Sequence, residues 1–252
     1  MRKKTFIMLL CALMIVSSVA FGTIAYLTDT AGVVNKFTIG NVDITVDETE
    51  VNPDGTPKYP EGTELDPDGN PVDPTVKPER TEEENTYPLI PGSEYDKDPT
   101  MTVKAGSEEA YVRMVVTITS AAELKEVFAQ LQATYPDKYA DGFLPEQHVT
   151  GWDNTVWQYV DTTEDTTANT MTLEFRYATT VTAADDAPLV LEPLFTTIKV
   201  PGEINNEQLE TLAGLTIDVQ GHAIQTTGFA DAEAAWTAFD AQTKAEAAVQ
   251  TP

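Results

Sequence analysis

Two histidines and a dense population of carboxylates are the side chains of this sequence that could support catalysis or bind a metal ion. His148 and His222 lie far apart in the chain, and no HExxH pair is present to hold zinc on one helix face. The sequence also lacks a GxSxG nucleophile elbow and a phosphate-binding glycine loop. Carboxylates are so abundant that no acid/base pair stands out. We therefore predict a protein that is not an enzyme, without catalytic residues, whose histidines are structural or simply exposed.

One acidic segment, DPDGNPVD, has the alternating oxygen ligands of a calcium-binding loop. An EF-hand loop starting at its first aspartate requires glycine at position six and glutamate at position twelve, where this sequence has Pro71 and Lys77. A solvated linker rich in turns is therefore the favoured interpretation, and calcium is the only cofactor that the sequence suggests. The weak calcium candidates are Asp66, Asp68, Asn70 and Asp73.

Three aromatic residues near a turn, Trp152, Trp157 and Tyr159, offer a second type of binding surface. Side by side on a sheet, they would form a flat platform for sugars or for another surface. In short strands, however, such residues more often fill the core of a β-sandwich. The core interpretation is favoured, and the platform is the alternative.

The charge balance argues against two large classes of partner. The chain of 252 residues has 15 Lys and Arg against 41 Asp and Glu, for a formal net charge of −26. Nucleic acids bind clustered cations, and an anionic membrane surface repels a chain of this charge. We predict no nucleic-acid partner and no membrane contact for the mature protein.

The N-terminus has the three parts of a secretory signal peptide. Positive residues precede an apolar run from Phe6 to Phe21, and small residues follow at Thr23 and Ala25. We predict cleavage by a signal peptidase after Ala25, with an uncleaved membrane anchor as the alternative. Cleavage removes Cys11, the one cysteine, so the mature protein is expected to have no thiol chemistry and no disulfide.

Short alternating segments separated by turns predict an all-β domain with minor helices. A helix is expected over 121–134, where apolar residues recur at three- and four-residue spacing. A short helical turn is expected over 207–213, and a C-terminal helix over 231–249, which is rich in alanine. About eight strands and no βαβ rhythm favour an antiparallel, jelly-roll-like β-sandwich with helices in the connections. The predicted strands lie near 37–46, 100–103, 109–118, 170–177, 189–191, 195–200 and 215–224, with short strand pieces around Trp152, Trp157 and Tyr159.

A proline-rich acidic segment interrupts this domain. Residues 49–86 contain seven prolines, eleven acidic and three basic residues, punctuated by the turns NPDG and DPDG. Such a composition cannot bury enough apolar surface to fold alone, so the segment is either functional or disordered. We expect a signal peptide at 1–25, a separate segment at 26–36, and one β-sandwich domain at 37–252 with 49–86 as an insertion loop.

The mature N-terminus, YLTDTAGVV from Tyr26, has the greatest functional potential. A free extended end can add a strand to the open sheet edge of a neighbouring molecule, and head-to-tail repetition gives an open filament. From these residues alone, the favoured alternative is that the segment folds back onto its own sheet or frays. The assembly candidates are Tyr26, Leu27, Thr28, Asp29, Val33, Val34 and Asn35.

The same region resembles the N-terminus of the TasA/camelysin family of secreted proteins. The shared pattern is a small-residue exit, an A-[aromatic]-x-[ST]-D start and an N-x-F-x-x-G-x-[VL]-D-[IL] strand. The sequence also resembles the family in LIPGSEYDKDPTMTVKAGSEEAYVRMVV from Leu89 and in LTIDVQGHAIQTTGF before Trp236. The residues that match the first motifs are Ala25, Tyr26, Thr28, Asp29, Asn35, Phe37, Gly40, Val42, Asp43 and Ile44.

The resemblance implies an exported jelly-roll protein whose signal peptide is cut by a SipW-like signal peptidase. Founding members of the family form fibres of the biofilm matrix, in which each subunit lends its mature N-terminal strand to the next. Here the donor strand would be Tyr26 to about Lys36, in a groove of apolar strand residues on the preceding subunit. The implied partners are further copies in a head-to-tail homopolymer and an accessory matrix protein, in the matrix or on the surface of a Gram-positive bacterium.

Two other functions compete with the fibre subunit. A monomeric cell-surface module would bind a cation, a glycan or a host protein through the acidic loop or the tryptophan region. A secreted metallopeptidase is implied by the camelysin name, but the sequence has no zinc-binding helix motif. The sequence therefore favours a structural subunit that assembles by strand donation.

Overall fold

The computed structural model describes residues 28–31, 37–39, 42–139 and 147–250. For 28–31, 37–39 and 245–250 it describes the backbone and not the side chains. The predicted signal peptide with its cleavage at Ala25 lies outside the described residues, as do the assembly candidates Tyr26, Leu27, Val33, Val34 and Asn35.

The described residues form thirteen strands and three helices. The strands are β1 (Thr28–Ala31), β2 (Phe37–Ile39), β3 (Ile44–Thr49), β4 (Arg80–Thr81), β5 (Glu94–Asp96), β6 (Thr100–Val103), β7 (Ala110–Thr119), β8 (Val149–Thr150), β9 (Trp157–Asp165), β10 (Thr170–Tyr177), β11 (Leu189–Val190), β12 (Thr197–Lys199) and β13 (Ile217–Gln225). The helices are α1 (Ala121–Thr134), α2 (Asn206–Thr211) and α3 (Ala232–Gln250).

Three antiparallel sheets organise these strands. The largest has six strands in the order β2-β1-β13-β7-β10-β9, so that β7 is central and β9 lies at one edge. The second sheet has the order β11-β6-β3-β4, and the third has the order β5-β12-β8. No helix within the described part of the chain is long and apolar enough to cross a membrane.

Alternating side chains bury one face of the large sheet. In β10, Met171, Leu173 and Phe175 are buried, and in β7 every second residue from Val112 to Ile118 is buried in the same way. These residues join buried side chains of β3, β6 and α1 in one hydrophobic core. The period of two therefore decides which face of the sheet packs and which remains for other contacts.

Helix α1 receives its N-terminal cap from a distant turn. The residue before it, Ser120, has a left-handed backbone (φ 54°) and makes no side-chain cap. Instead, Asn169 in the β9–β10 turn accepts hydrogen bonds from the backbone of Ala121 (3.2 Å) and Ala122 (2.9 Å). Its amide also donates to Glu123 (2.6 Å), which lowers the pKa of that carboxyl. One turn therefore satisfies two of the N–H groups at the start of the helix and ties the helix to the sheet.

The acidic insertion is ordered into two hairpins of the same design. Bridges join Val51 to Pro57 in the first hairpin and Leu65 to Pro71 in the second. In both, the backbone N–H before the Pro-Asp-Gly turn donates to the carbonyl four residues later at 2.8 Å. The repeated ExxPDGxPx pattern therefore folds the same way twice, which the turn residues make possible.

Only the first hairpin packs on the domain. The Cα of Gly55, with a φ of +85°, lies so close to the Tyr95 ring that a Cβ there would be 2.4 Å from a ring carbon. The second hairpin points into solvent, since Leu65 and Val72 are 47% and 58% exposed. The insertion therefore has an anchored half and an exposed half.

The fold class is confirmed: the protein is an all-β, antiparallel sandwich with minor helices in the connections. The observed strands outnumber the expected eight, because several have two or three residues and are too short to show an alternating pattern. Trp152 was expected on a strand and lies instead in the loop between β8 and β9. A bond from its indole N–H to the Trp157 carbonyl (2.8 Å) holds it there.

The cap on α1 gives a testable prediction. Asn169 also has a left-handed backbone (φ 54°), so Asn169→Ala loses both the cap and a favourable conformation. We expect this variant to lower the free energy of unfolding by about 2 kcal/mol, of which about 1 kcal/mol is the cap. Asn169→Gly should lose only the cap, and Ser120→Gly should be neutral or stabilising by up to about 1 kcal/mol. Urea unfolding followed by circular dichroism measures all three, and equal effects of the Ala and Gly variants at 169 would contradict this account.

The docked hairpin gives a second prediction with an internal control. Gly55→Ala and Gly69→Ala introduce the same methyl group at the same φ of +85°, but only the first meets the Tyr95 ring. Backbone strain of about 1–2 kcal/mol is common to both variants. We expect Gly55→Ala to destabilise by at least about 1 kcal/mol more and to expose the insertion to limited proteolysis. If the two variants unfold and digest alike, the first hairpin is not held against Tyr95.

Candidate functional site

His222 belongs to a buried ionic cluster between the large sheet and α3. The Arg113 side chain, 4% exposed as a residue, donates from Nε to His222 Nδ1 (3.1 Å) and from its two terminal nitrogens to Glu174 (3.1 Å) and Asp240 (2.5 Å). Its guanidinium also lies 4.5 Å from the Trp236 ring centroid. This one cation therefore joins three strands to the C-terminal helix.

The cluster keeps His222 neutral. Burial, reinforced by the Arg113 charge, lowers the pKa of His222 to about 3, against a smaller opposing effect of Asp240. The ring also stacks at a tilt on Phe239, with centroids 4.8 Å apart. Since Nδ1 already accepts the Arg113 bond, His222 acts as a structural acceptor, and the cluster holds α3 on the sheet.

His148 lies elsewhere, in the wall of a cavity beneath α1. Its ring packs edge-on against Phe128 with centroids 4.7 Å apart, and burial lowers its pKa to about 4. The two histidines therefore serve different parts of the core. Within the described ranges, no group of three His, Cys, Asp or Glu side chains is arranged to hold a metal ion.

The weak calcium candidates serve their own turns. Asp66 Oδ1 accepts from the backbone of Asp68 (3.0 Å) and Asn70 (2.9 Å). Asp73 Oδ1 accepts from the Thr75 backbone (2.9 Å) and hydroxyl (2.7 Å), and these bonds lower the pKa of its carboxyl. These contacts are Asx-type turn bonds, which stabilise the turns in the absence of any ion.

The three aromatic candidates do not form a platform. Trp157 is 1% exposed and its indole N–H donates to the Glu192 carbonyl (2.8 Å). Trp152 packs edge-on against Phe175 at 5.7 Å, and only Tyr159 is substantially exposed. The core interpretation therefore describes Trp157 well, while Trp152 lines the cavity beneath α1.

The N-terminal strand β1 lies on the β13 edge of the large sheet. Its four residues pair antiparallel with Gly221–Ile224, where Thr28 faces Ile224 and Asp29 faces Ala223. β2 then pairs with the outer side of β1. In this structure the segment therefore folds back onto its own sheet, as the alternative interpretation of the sequence expected.

β1 covers only part of its partner strand. β13 has nine residues, Ile217–Gln225, and the register with β1 spans four of them. Residues 217–220 pair with β7 on one side, and no described strand pairs with them on the other. Within the described part of the chain, β1 therefore pairs with only part of β13.

The opposite edge of the sheet is protected against added strands. The pairing of β9 with β10 shifts register next to Val160, which marks a bulge. The backbone N–H groups of Tyr159 and Thr162 donate to the side chains of Asn154 (3.0 Å) and Asp161 (2.8 Å). Bulges, charges and capped N–H groups are the devices by which edge strands avoid aggregation. The two edges of the sheet are therefore not equivalent.

A large apolar cavity lies between the sheet and α1. It encloses about 710 Å³ and is walled by Ile118, Leu173 and Phe175 of the sheet and by Leu124 and Phe128 of the helix. Its polar lining includes Lys125, Glu164 and Lys199.

Comparison with known proteins does not assign these features to a family. No protein-family model, no curated protein and no solved structure matches this chain. The similarity to the TasA/camelysin family therefore remains a resemblance carried by the motifs near the N-terminus, at Leu89 and before Trp236.

Two important features had little signal in the sequence. Arg113 interrupts a run of apolar residues in the strand EAYVRMVVTI, and a cation inside a buried strand is a sign that carboxylates meet it in the fold. The cavity depends on how α1 and the segment 194–204, which contains β12, meet the large sheet, and no local pattern encodes this.

The state of His222 predicts how stability depends on pH. Its pKa of about 3 in the folded protein lies below the value near 6.5 of an exposed histidine, so the unfolded chain binds the extra proton between these pH values. The stabilisation is complete above about pH 6.5 and is lost as the pH falls toward 3. We expect His222→Asn, which keeps an acceptor for Arg113, to be less stable than wild type at pH 7.

That deficit should shrink by about 2–3 kcal/mol between pH 6.5 and 4.5, since each pH unit is worth about 1.4 kcal/mol. Urea unfolding of both proteins across this range measures the difference, and carboxylate titration common to both cancels. Parallel stability curves would show that His222 does not change its protonation on unfolding.

Proposed function

We propose that this protein is an exported structural subunit that assembles head to tail into extracellular fibres by lending its mature N-terminal strand to a neighbour. One observation carries the proposal: near the N-terminus the four-residue strand β1 pairs with β13 along only four of the nine residues of β13. An identical segment from a second copy would make the same backbone bonds, so exchange costs little.

The geometry of exchange favours a filament. A donor at one end of the subunit and an acceptor edge on its sheet form a heterologous contact, which repeats openly unless the rotation closes a ring. A donated strand paired antiparallel with β13 would take the place of β1 and extend the four strands β13, β7, β10 and β9. The protected β9 edge and the net charge of −26 oppose other modes of association, so contact is directed to the β13 edge.

Two features of the sequence support assembly outside the cell. The signal peptide over 1–25 and the resemblance to TasA/camelysin proteins favour export to the matrix or the surface of a Gram-positive bacterium, with an accessory matrix protein as a further partner. A camelysin-type peptidase is not proposed, because His148 beside Phe128 and His222 beside Arg113 lie in separate parts of the core and do not form a shared ligand set.

Negative-stain electron microscopy tests the proposal on proteins beginning at Tyr26 and at Lys36. We expect regular filaments from the longer protein alone, because the shorter one lacks the donor. Far-ultraviolet circular dichroism establishes that the shorter protein is folded. Filaments from a folded protein beginning at Lys36 would refute strand donation.

A matched variant separates the two sheet edges. Asn154→Ala releases the Tyr159 N–H on β9 without touching β13. We expect its filaments to have the same width and growth rate as those of wild type. A peptide of residues 26–36 should bind the Lys36 protein and block elongation of the longer protein. Altered filaments from Asn154→Ala would move the acceptor edge to β9.

A further inference from the structure

The cavity beneath α1 has the size and lining of a ligand site. Well-packed protein interiors contain few voids larger than a water molecule, whereas ligand pockets enclose about 300–1,000 Å³. This cavity encloses about 710 Å³ behind walls of aliphatic and aromatic side chains from β7, β10 and α1. An apolar ligand would therefore gain a large contact area without a rearrangement of the sheet.

Among the described residues that line the cavity, lysines outnumber carboxylates, whereas carboxylates outnumber cations in the whole chain. Lys125 on α1 and Glu164 on β9 form an ion pair in its lining, with the lysine Nζ 2.9 Å and 2.8 Å from the two carboxylate oxygens. Lys199 also lines the cavity and pairs with Glu94 at 3.3 Å. The described residues thus contribute two lysines and one carboxylate to the lining, in a chain that has 15 cations and 41 acids. Both lysine side chains remain partly exposed, at 48% and 36%, so their ion pairs can exchange.

We propose that this cavity binds a free long-chain carboxylate, with the alkyl tail inside and the carboxylate at Lys125 and Lys199. The apolar walls match the tail, and the excess of cations at the lining matches the head group. A cationic amphiphile with the same tail is disfavoured, because Lys125 and Lys199 repel its head group. His148 adds no charge to the wall, since burial lowers its pKa to about 4 and the ring is neutral at pH 7.

The ligand is taken from solution as a monomer. A net charge of −26 keeps the protein away from anionic bilayers, so extraction from a membrane surface is disfavoured. The cavity faces α1 and the β9 side of the sheet, whereas β1 pairs with residues 221–224 of β13. Of the β13 residues only Ile217 lines the cavity, so ligand binding and the strand exchange proposed above use largely separate residues, and either can fail alone.

Isothermal titration calorimetry of the mature chain from Tyr26 tests the proposal. The probes are dodecanoate, kept below its micelle concentration, and dodecyltrimethylammonium, which has the same tail and the opposite charge. We expect saturable one-site binding of dodecanoate and at least about tenfold weaker binding of the ammonium compound. Lys125→Met and Lys199→Met should each weaken dodecanoate binding by about tenfold, because each removes a charge-assisted contact.

Three further variants serve as controls. Lys244→Met on α3 removes the same charge at a position that is not among the lining residues and should leave binding unchanged. Glu164→Gln releases Lys125 from its ion pair and should strengthen binding. Ala129→Trp adds a large ring from an exposed position of α1 that lines the cavity, and should abolish binding while near-ultraviolet circular dichroism shows an intact fold.

Several results would overturn the proposal. No saturable binding of dodecanoate by the folded wild-type chain would do so, as would equal affinity for the two amphiphiles. Undiminished binding by a folded Ala129→Trp variant would place the ligand elsewhere. Displacement of dodecanoate by the peptide of residues 26–36 would assign the cavity to a second copy of this chain.

Discussion

The central strand β7 is covered on both faces along part of its length, and the other elements are arranged around this constraint. Its inner residues from Val112 to Ile118 pack against β3, β6 and α1, while Tyr111 on the outer face packs under α3. Arg113 also points to that outer side, where an unpaired guanidinium would cost several kcal/mol. Helix α3 makes this position tolerable, since it brings Asp240 and two aromatic rings to the guanidinium.

Cations are scarce in this protein, and several hold together parts that are distant in sequence. Arg113 joins the sheet to α3, and Arg80 joins the end of the insertion to Asp47 (2.6 Å) and Asp98 (2.7 Å). Lys97, which is almost fully buried, contacts Glu48 at 2.5 Å beside the same junction. An insertion too acidic to fold alone is therefore tied to the domain where its own Arg80 meets domain carboxylates, and Lys58 pairs within it with Glu50 (2.5 Å) and Glu79 (3.1 Å). The rest of its order comes from turn bonds, which depend on sequence and need no core.

Elements with a strong local pattern were predictable, and contacts between elements were not. The spacing of Leu124, Val127, Phe128 and Leu131 gave α1 its observed bounds, and the alternation around Leu173 did the same for β10. The cap of α1 was missed because Asn169 is remote in sequence and looks like any other turn residue. Short strands such as β4 and β8 have two residues, so they depend on the neighbours they pair with rather than on their own pattern.

The same limit applies to the candidate sites. The N-terminal segment was singled out from its position and composition, and its two described candidates, Thr28 and Asp29, lie together in β1. The strand that β1 pairs with and the protection of the β9 edge could be seen only in the fold, because neither depends on a local sequence pattern. The acidic and aromatic candidates were less informative, because Asp66 and Asp73 cap turns and Trp157 fills the core, roles that composition cannot distinguish from ligand binding.

Under the proposed function, the fold-back of β1 sets a threshold for assembly. A strand tethered to its own sheet competes at an effective concentration of about 1 mM, so a neighbour that offers only the same four pairs gains little. The balance changes if an incoming strand also pairs with residues 217–220, which β1 leaves uncovered. Each added subunit then gains backbone bonds that β1 does not make in the isolated molecule, while self-repulsion from the net charge of −26 opposes contacts that lack them. Partial coverage of β13 is thus compatible with a subunit that is stable alone and that polymerises only through one edge.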